Sequence, residues 1–344
     1  MTDLHAAVRR AVTDTAEPGG TELSEALRET LHDSPGRDGF VSFERLKSRV
    51  YRLRLGATGA RGRSFVLKRF DPWLARRNEL VARRWLPALG LGDRCPHLCV
   101  VAADRSGAWV WHVYEDIGDG AIDPENPDRP SVVAVVELLA SLHTRAARHA
   151  LLPGCRHIAG DLGAPYFAAN VRDAIAVLEP LEQRPLRDRL LQRLYRLRDE
   201  QAHRAQQLDA LGGPDTLLHG DLWTTNTFVA PPLDGGEPVA RLIDWDHAAV
   251  GPATYDLSTF LYRFAPSDRP WILEAYARAV APSGWTLPAA PELNGLFETA
   301  EYARYANRII WPAVALLEEG AAWGWDMLAE VERWFNAMTT VLPV

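Results

Sequence analysis

His219-Gly220-Asp221-Leu222-Trp223-Thr224-Thr225-Asn226 is the stretch on which the fold turns, with Arg241-Leu242-Ile243-Asp244 following it. Short apolar stretches flank 219–226, so it reads as a tight loop between extended segments. It carries a carboxylate at Asp221 and an amide at Asn226, five residues on; Asp244 follows 18 residues later, at the end of a short strand-like run. A lone aspartate in a loop usually caps or turns the chain. An Asp, an Asn and a second Asp in this order ask for another account.

Phosphoryl transfer needs such a set. One carboxylate accepts or orients the proton of an acceptor hydroxyl, while a second carboxylate and an amide oxygen hold Mg2+ against a triphosphate. A cation for the phosphates should lie upstream. Of the 38 Lys and Arg residues, only Lys47 and Lys68 are lysines, and both fall in the first third of the chain. A coding bias toward Arg accounts for the scarcity. Lys is nevertheless the compact point charge on a slim stem that a phosphate site uses, and Arg does not replace it freely.

Around Lys68 the sequence predicts strands at 40–46, 50–55 and 64–70, the second by its apolar–polar alternation. They form an antiparallel meander with Lys68 late on the third. Gly56, Gly59 and Gly62 punctuate the turn between the second and third strands, a hairpin reading rather than a nucleotide loop. A helix at 74–86 carries Glu79; strands at 98–102 and 108–114 lead to a polar connector, Glu115-Asp116-Ile117-Gly118-Asp119-Gly120. Upstream, two short amphipathic helices are expected at 4–12 and 23–31, split by Glu17-Pro18-Gly19-Gly20. Beyond about residue 130 the pattern is mainly helical, at 131–143, 168–178, 186–208 and a Trp-rich run from 293 to about 338.

In HGDLWTTN at 219–226, IDWD at 243–246 and Tyr255-Asp256-Leu257, the chain resembles the aminoglycoside phosphotransferase family and its choline-kinase and ketosamine-kinase relatives. With Lys68, Glu79 and the connector at 115–118, the resemblance covers about residues 40 to 260. It implies an α+β, protein-kinase-like two-lobe fold with a small antiparallel sheet in the N-lobe and a mainly helical C-lobe. The corresponding divisions are a helical extension at 1–38, a nucleotide-binding lobe at 39–117 and a helical lobe at 118–344. It implies ATP or GTP with Mg2+, a small-molecule hydroxyl as acceptor, Asp221 as catalytic base, and Asn226 and Asp244 as metal ligands. Lys68 would pair with the α- and β-phosphates and be oriented by Glu79. Backbone groups of Glu115 and Ile117 would meet the adenine edge, and His219 and Asp256 would brace the catalytic loop. Two departures stand out. The stretch Arg45-Leu46-Lys47-Ser48-Arg49 has no glycine with which to cradle phosphates, leaving the Ser48 hydroxyl and the Lys47 charge as candidates. Asp244 is followed by Trp245 and Asp246 rather than Phe and Gly, which makes Asp246 an extra candidate ligand or acceptor contact.

Other chemistries are weighed against this one. Eleven residues between Asp244 and Asp256 are too few for a protein kinase's activation segment, and the loop reads His-Gly-Asp rather than His-Arg-Asp. No G-x-x-x-x-G-K-[ST] occurs, so a P-loop enzyme is excluded. A two-metal hydrolase at His219, Asp221, Asp244 and His247 leaves Lys68 unexplained. Cys95, His97, Cys99, Cys155 and His157 do not have structural-zinc spacing and read as ordinary thiols and imidazoles. A catalytically silent scaffold is the alternative of another class; only the missing glycines near Lys47 favour it.

The net charge of −7 argues against a nucleic-acid binder, no stretch of about 20 apolar residues is present, and three cysteines give no disulfide framework, so a cytoplasmic monomer or homodimer is expected. The acceptor is the least legible part. Glu301, Tyr305, Trp311 and Glu318 lie in the acidic, aromatic helical run and, with Asp246, are candidates for binding an amine-bearing acceptor through charge and cation–π contact. An antibiotic, choline, a ketosamine and a homoserine-type metabolite all fit that description.

Overall fold

The computed structural model describes residues 12, 17–31, 40–56, 63–230 and 236–343. The helix expected at 4–12 and the turn at 57–62 lie outside the described residues, apart from Val12. The chain divides into two compact units. The first holds the described residues as far as Gly120, with short returns at 228–230 and 239–246; the second holds the remainder.

The first unit is built on a five-stranded antiparallel sheet: β1 (Phe40–Lys47), β2 (Val50–Gly56), β3 (Arg63–Phe70), β4 (Leu98–Ala103) and β5 (Val110–Glu115), in the order β1-β2-β3-β5-β4. Its alternation sets the position of the site. Tyr51, Leu53, Leu55, Phe65 and Leu67 point to a core closed by α1 (Gly20–Leu31) through Leu23 and Leu27. Val50, Arg52, Val66 and Lys68, one residue out of phase, line a cavity on the opposite face. Each fully buried Leu contributes about 1.5–3 kcal/mol, so the core holds the register that presents Lys68. The segment expected as an extension therefore supplies part of the unit's core. Glu17, just before α1, accepts from the Tyr51 hydroxyl at 2.5 Å and pairs with Arg69 at 2.7 Å.

Pro72–Leu80, opened by Pro72 in its first turn after extended Asp71, forms α2. It runs on through a π-helical turn, Val81–Trp85, into Leu86–Ala88.

His112 on β5 sits beside Lys68 in the ladder and is fully buried, with Nδ1 2.9 Å from the Tyr114 hydroxyl. Burial first, then the Arg83 and Lys68 charges, push its pKa down to about 3. The imidazole is neutral in the fold, whereas the unfolded chain takes up a proton near pH 6.5. Its contribution is complete above that pH and is lost as pH falls toward 3. At pH 5 the loss is about 2 kcal/mol. In urea titrations, His112→Asn is expected to shrink the stability drop between pH 7.5 and 5 by that amount; equal drops in the two proteins would remove His112 as the cause.

The second unit is mainly helical: α3 (Arg129–Ala147), α4 (Leu152–Ala159), α5 (Ala164–Leu178), α6 (Pro185–Asp199), α7 (Gln201–Leu211), α8 (Thr254–Leu261), α9 (Arg269–Val280), α10 (Ala290–Glu319) and α11 (Trp323–Ala337). The single helix expected over 186–208 is two. Leu190, Leu191, Leu194 and Leu197 are buried, and the run breaks at Glu200 where that face ends; no residue of α7 is buried. Left-handed Gly320 separates α10 from α11. Leu178, Leu190, Leu194, Ala306, Ile309, Leu328 and Val331 share one core. In this unit β6 (Asp215–Leu218) pairs antiparallel with β9 (Ala249–Pro252); β7 (Thr227–Ala230) and β8 (Val239–Leu242) form another two-stranded sheet, which from Phe228 onward belongs to the first unit. Among the described residues no helix is long and apolar enough to cross a membrane.

Candidate active site

The cavity of the first unit has a volume of about 330 Å³ and is lined by Lys47, Arg52, Lys68, Asn78, Tyr114, Glu115, Ile117 and Asp244, among others. Lys68 Nζ lies 2.5 Å from Asp244 Oδ1 and 2.8 Å from Asp246 Oδ2. Burial alone would lower the Lys68 pKa, but the two carboxylates outweigh it and hold the ammonium charged. Burial likewise disfavours ionised Asp244, and Lys68 more than compensates. Asp246 goes the other way, raised by burial and by Asp244. Asp244 has φ of 64°, left-handed backbone that a non-glycine residue adopts at a cost. It lies two residues past the end of β8 and opens into the 3-10 turn Trp245–His247, which brings Asp246 round to the same lysine.

Among the described residues Lys68 pairs with Asp244 and Asp246 and not with Glu79. The Glu79 carboxylate pairs with Arg83, one turn along, at 2.6 Å. Asn78, one residue earlier and about 100° round the helix, faces the site instead: its Nδ2 donates to Asp246 Oδ1 at 3.0 Å, and Arg77 Nη1 donates to the Asp246 carbonyl at 2.7 Å. Asp246, held by α2, is the carboxylate that pairs with Lys68 beside Asp244.

Ser48 and Arg49 make a two-residue turn between β1 and β2, with Arg49 at φ 61°. Lys47 lines the cavity and lies 3.8 Å from Asp244, whereas Ser48 is exposed and outside the lining. The connector is firmly built. Asp116 accepts from Ser64 Oγ at 2.6 Å and pairs with Arg52 at 2.8 Å; Glu115 pairs with Arg241 at 2.6 Å, and its N–H donates to the His97 carbonyl at 3.0 Å.

In the second unit, the loop at 219–226 hangs from a buried carboxylate. Asp256 on α8 is fully buried and accepts the backbone N–H groups of His219 at 2.7 Å and Gly220 at 2.9 Å. Burial opposes its charge, but hydrogen bonding and charge from His143 and His219, with the Gly220 N–H, keep its pKa below the ordinary value. His143 is itself fixed by the Tyr276 hydroxyl at 2.9 Å. Gly220 has φ of 80°, and a Cβ there would stand 1.9 Å from the His247 carbonyl oxygen, so only glycine fits.

Asp221 is then aimed by two neighbours: Trp223 Nε1 donates to its Oδ1 at 2.7 Å, and Asn226 Nδ2 to its carbonyl at 2.9 Å. Because that bond uses the amide nitrogen of Asn226, its oxygen is the end left for a cation. Carboxylate and amide oxygens are the donors a hard divalent cation takes, so Asp244 and Asn226 have the right chemistry for Mg2+. Among the described residues no group of three or more His, Cys, Asp and Glu converges on a metal position. The thiols of Cys95 and Cys155 are pushed up to about 11 and about 12, chiefly by burial.

The acceptor candidates do not form one ligand box. Glu301 is 2% exposed and bound to Ser258 Oγ at 3.0 Å and to Arg304. Tyr305 packs against Trp334 and Phe335. Trp311 and Glu318 are exposed farther along α10, and Glu318 is 17 residues, about 25 Å, beyond Glu301. Asp246 belongs to the lysine cluster of the first unit. The roles of Asn78, Trp223 and His143 were not read from sequence. Trp223 stood inside the quoted motif, but nothing there showed where its indole N–H would point.

Residues 44–293 match the model of the phosphotransferase enzyme family, APH, and the chain belongs to that family. It is a phosphotransferase acting on a hydroxyl-bearing small molecule. Solved structures share the fold. A GDP and kanamycin complex of APH(2")-IIia is 13% identical, with a TM-score of 0.59 over 92% of this chain and 99% of that one. An ethanolamine kinase of Plasmodium vivax is 11% identical, with a TM-score of 0.58 over 95% and 85%. A choline kinase of Cryptosporidium parvum is 11% identical, with a TM-score of 0.56 over 97% and 94%. At these identities the likeness is one of fold. No curated protein sequence matches the chain.

Proposed function

We propose that the protein moves the γ-phosphoryl group of ATP or GTP to a hydroxyl of a small molecule, with Asp221 as the base. The observation that carries this reading is the aim of Asp221, whose carboxylate and carbonyl are each fixed by a hydrogen bond from its own loop. Lys68, once released from Asp244 and Asp246, would pair with the α- and β-phosphates, and Lys47 is within reach of the same carboxylate. The purine ring of the nucleotide would meet the connector at the Glu115 carbonyl and the Ile117 N–H, since the Glu115 N–H is already committed. Asp244 and Asn226 would hold Mg2+, which when bound neutralises developing charge on the transferred group. The chain's own contribution is positioning and fixed charge, and Asp221 takes the proton late because the transition state is loose. The amine-bearing acceptor expected from α10 loses its main acid, since Glu301 is spent on Arg304 and Ser258.

The test is a phosphoryl-transfer assay with Mg·ATP and Mg·GTP over alcohols and a peptide library, with products identified by mass. Transfer to a small alcohol and to no peptide is expected. Transfer to peptides, or to neither class, would discard the reading.

A further inference from the structure

The indole that fixes Asp221 has a second partner. Arg263 stands just past α8, and its guanidinium lies over the Trp223 ring, 4.0 Å from the centroid. No described carboxylate forms an ion pair with Arg263, and its buried Nε has no hydrogen-bond partner among the described residues. The acid that acts on it most is Glu301, already bound to Arg304 and Ser258. Arg269, also nearby, is committed to the Phe264, Thr340 and Val341 carbonyls. Three guanidiniums thus share this neighbourhood with one engaged carboxylate. A half-buried cation without a counterion is costly unless something else supplies the charge. One indole ring separates this one from the carboxylate that takes the acceptor's proton.

We infer that Arg263 receives an oxyanion of the acceptor, a carboxylate or phosphate ester distinct from the hydroxyl that is phosphorylated. The substrate is then an anionic hydroxy compound rather than an amine. This rests on the kinase reading above. In the step served, the acceptor oxygen bonds to the γ-phosphorus as the bond to the β,γ-bridging oxygen breaks. The hydroxyl proton passes to Asp221, and the nucleoside diphosphate leaves with the electron pair. Arg263 sets which acceptor is held and does not enter the bond changes. A planar fork of donors suits both oxyanions.

The experiment offers the full chain, with Mg·ATP, alcohols matched by skeleton: glycerol, glycerate and glycerol 3-phosphate; glucose, gluconate and glucose 6-phosphate; with choline, ethanolamine and kanamycin beside them. Transfer to the carboxylated or phosphorylated members is expected, and which of the two wins names the oxyanion. Arg263→Gln should lower kcat/KM for that acceptor about 10–100-fold, mainly through KM, with partial recovery in Arg263→Lys. Preference for neutral or amine-bearing alcohols overturns the inference alone, as does a loss confined to kcat. If Arg263→Gln does not fold, the wild-type preference and Arg263→Lys decide. Absence of transfer to every alcohol, with Mg·ATP still raising the melting temperature, would instead fell the kinase reading beneath it.

Discussion

Asp221→Asn is expected to lower kcat by about 10²–10⁴-fold, the range general acid–base groups supply, while Mg·ATP still raises the melting temperature. Asparagine is nearly isosteric, and its Oδ1 can still accept the Trp223 indole N–H that holds Asp221 at 2.7 Å. The loop also keeps its bonds to Asp256 from the His219 and Gly220 backbone. Geometry is therefore preserved, and what is lost is the ability to take a proton. Steady-state kinetics on the best alcohol of the panel, paired with melting curves, would measure this. A kcat within tenfold of wild type would show that Asp221 is not the base.

Lys68→Ala should both abolish useful transfer and destabilise the fold by about 3 kcal/mol, the low end of the cost of breaking a buried pair. The low end applies because the Lys68, Asp244 and Asp246 side chains remain 19%, 22% and 20% exposed. Without the ammonium, two carboxylates face each other with Asn78, Arg77 and the distant Lys47 to offset them. Lys68→Arg separates the two effects. A guanidinium can bridge both carboxylates and keep most of the stability, yet its fork does not replace a point charge on phosphate. Transfer should fall nearly as far as in Lys68→Ala. Activity within a few-fold of wild type in Lys68→Arg would show that the choice of lysine is incidental.

The parts of the site legible in sequence are those whose chemistry is local. His219 to Asn226 lie on one loop, and no packing detail is needed to see an acid and an amide side by side. The meander was legible because alternation reports which face is buried. Longer-range choices were not. Whether Asn78 or Glu79 faces Asp246, the partner of Lys68, depends on the rotational phase of α2, which no spacing in the sequence reveals. Glu301 stood as an acceptor candidate because sequence does not show that Arg304, three residues on, and Ser258, 43 residues away, both turn to it. α8 went unread because it is only eight residues long and all eight are buried, so no exposed polar face marks it. The break at Glu200 hid in the opposite way, in an Arg-rich run whose polar surface continues while its apolar face stops.

The family match begins at residue 44, whereas the core of the first unit takes in Val12 and the α1 residues Leu23 and Leu27. Leu23 and Leu27 cover the sheet face opposite Lys68, and Glu17 anchors Tyr51 and Arg69 on that same sheet. Cutting the chain at the homology boundary would bare a greasy surface beneath an otherwise intact motif set. Anyone trimming the gene for expression should keep Val12 and Glu17 as well as α1, because the length matched by the family and the length that closes this core are different stretches of polypeptide.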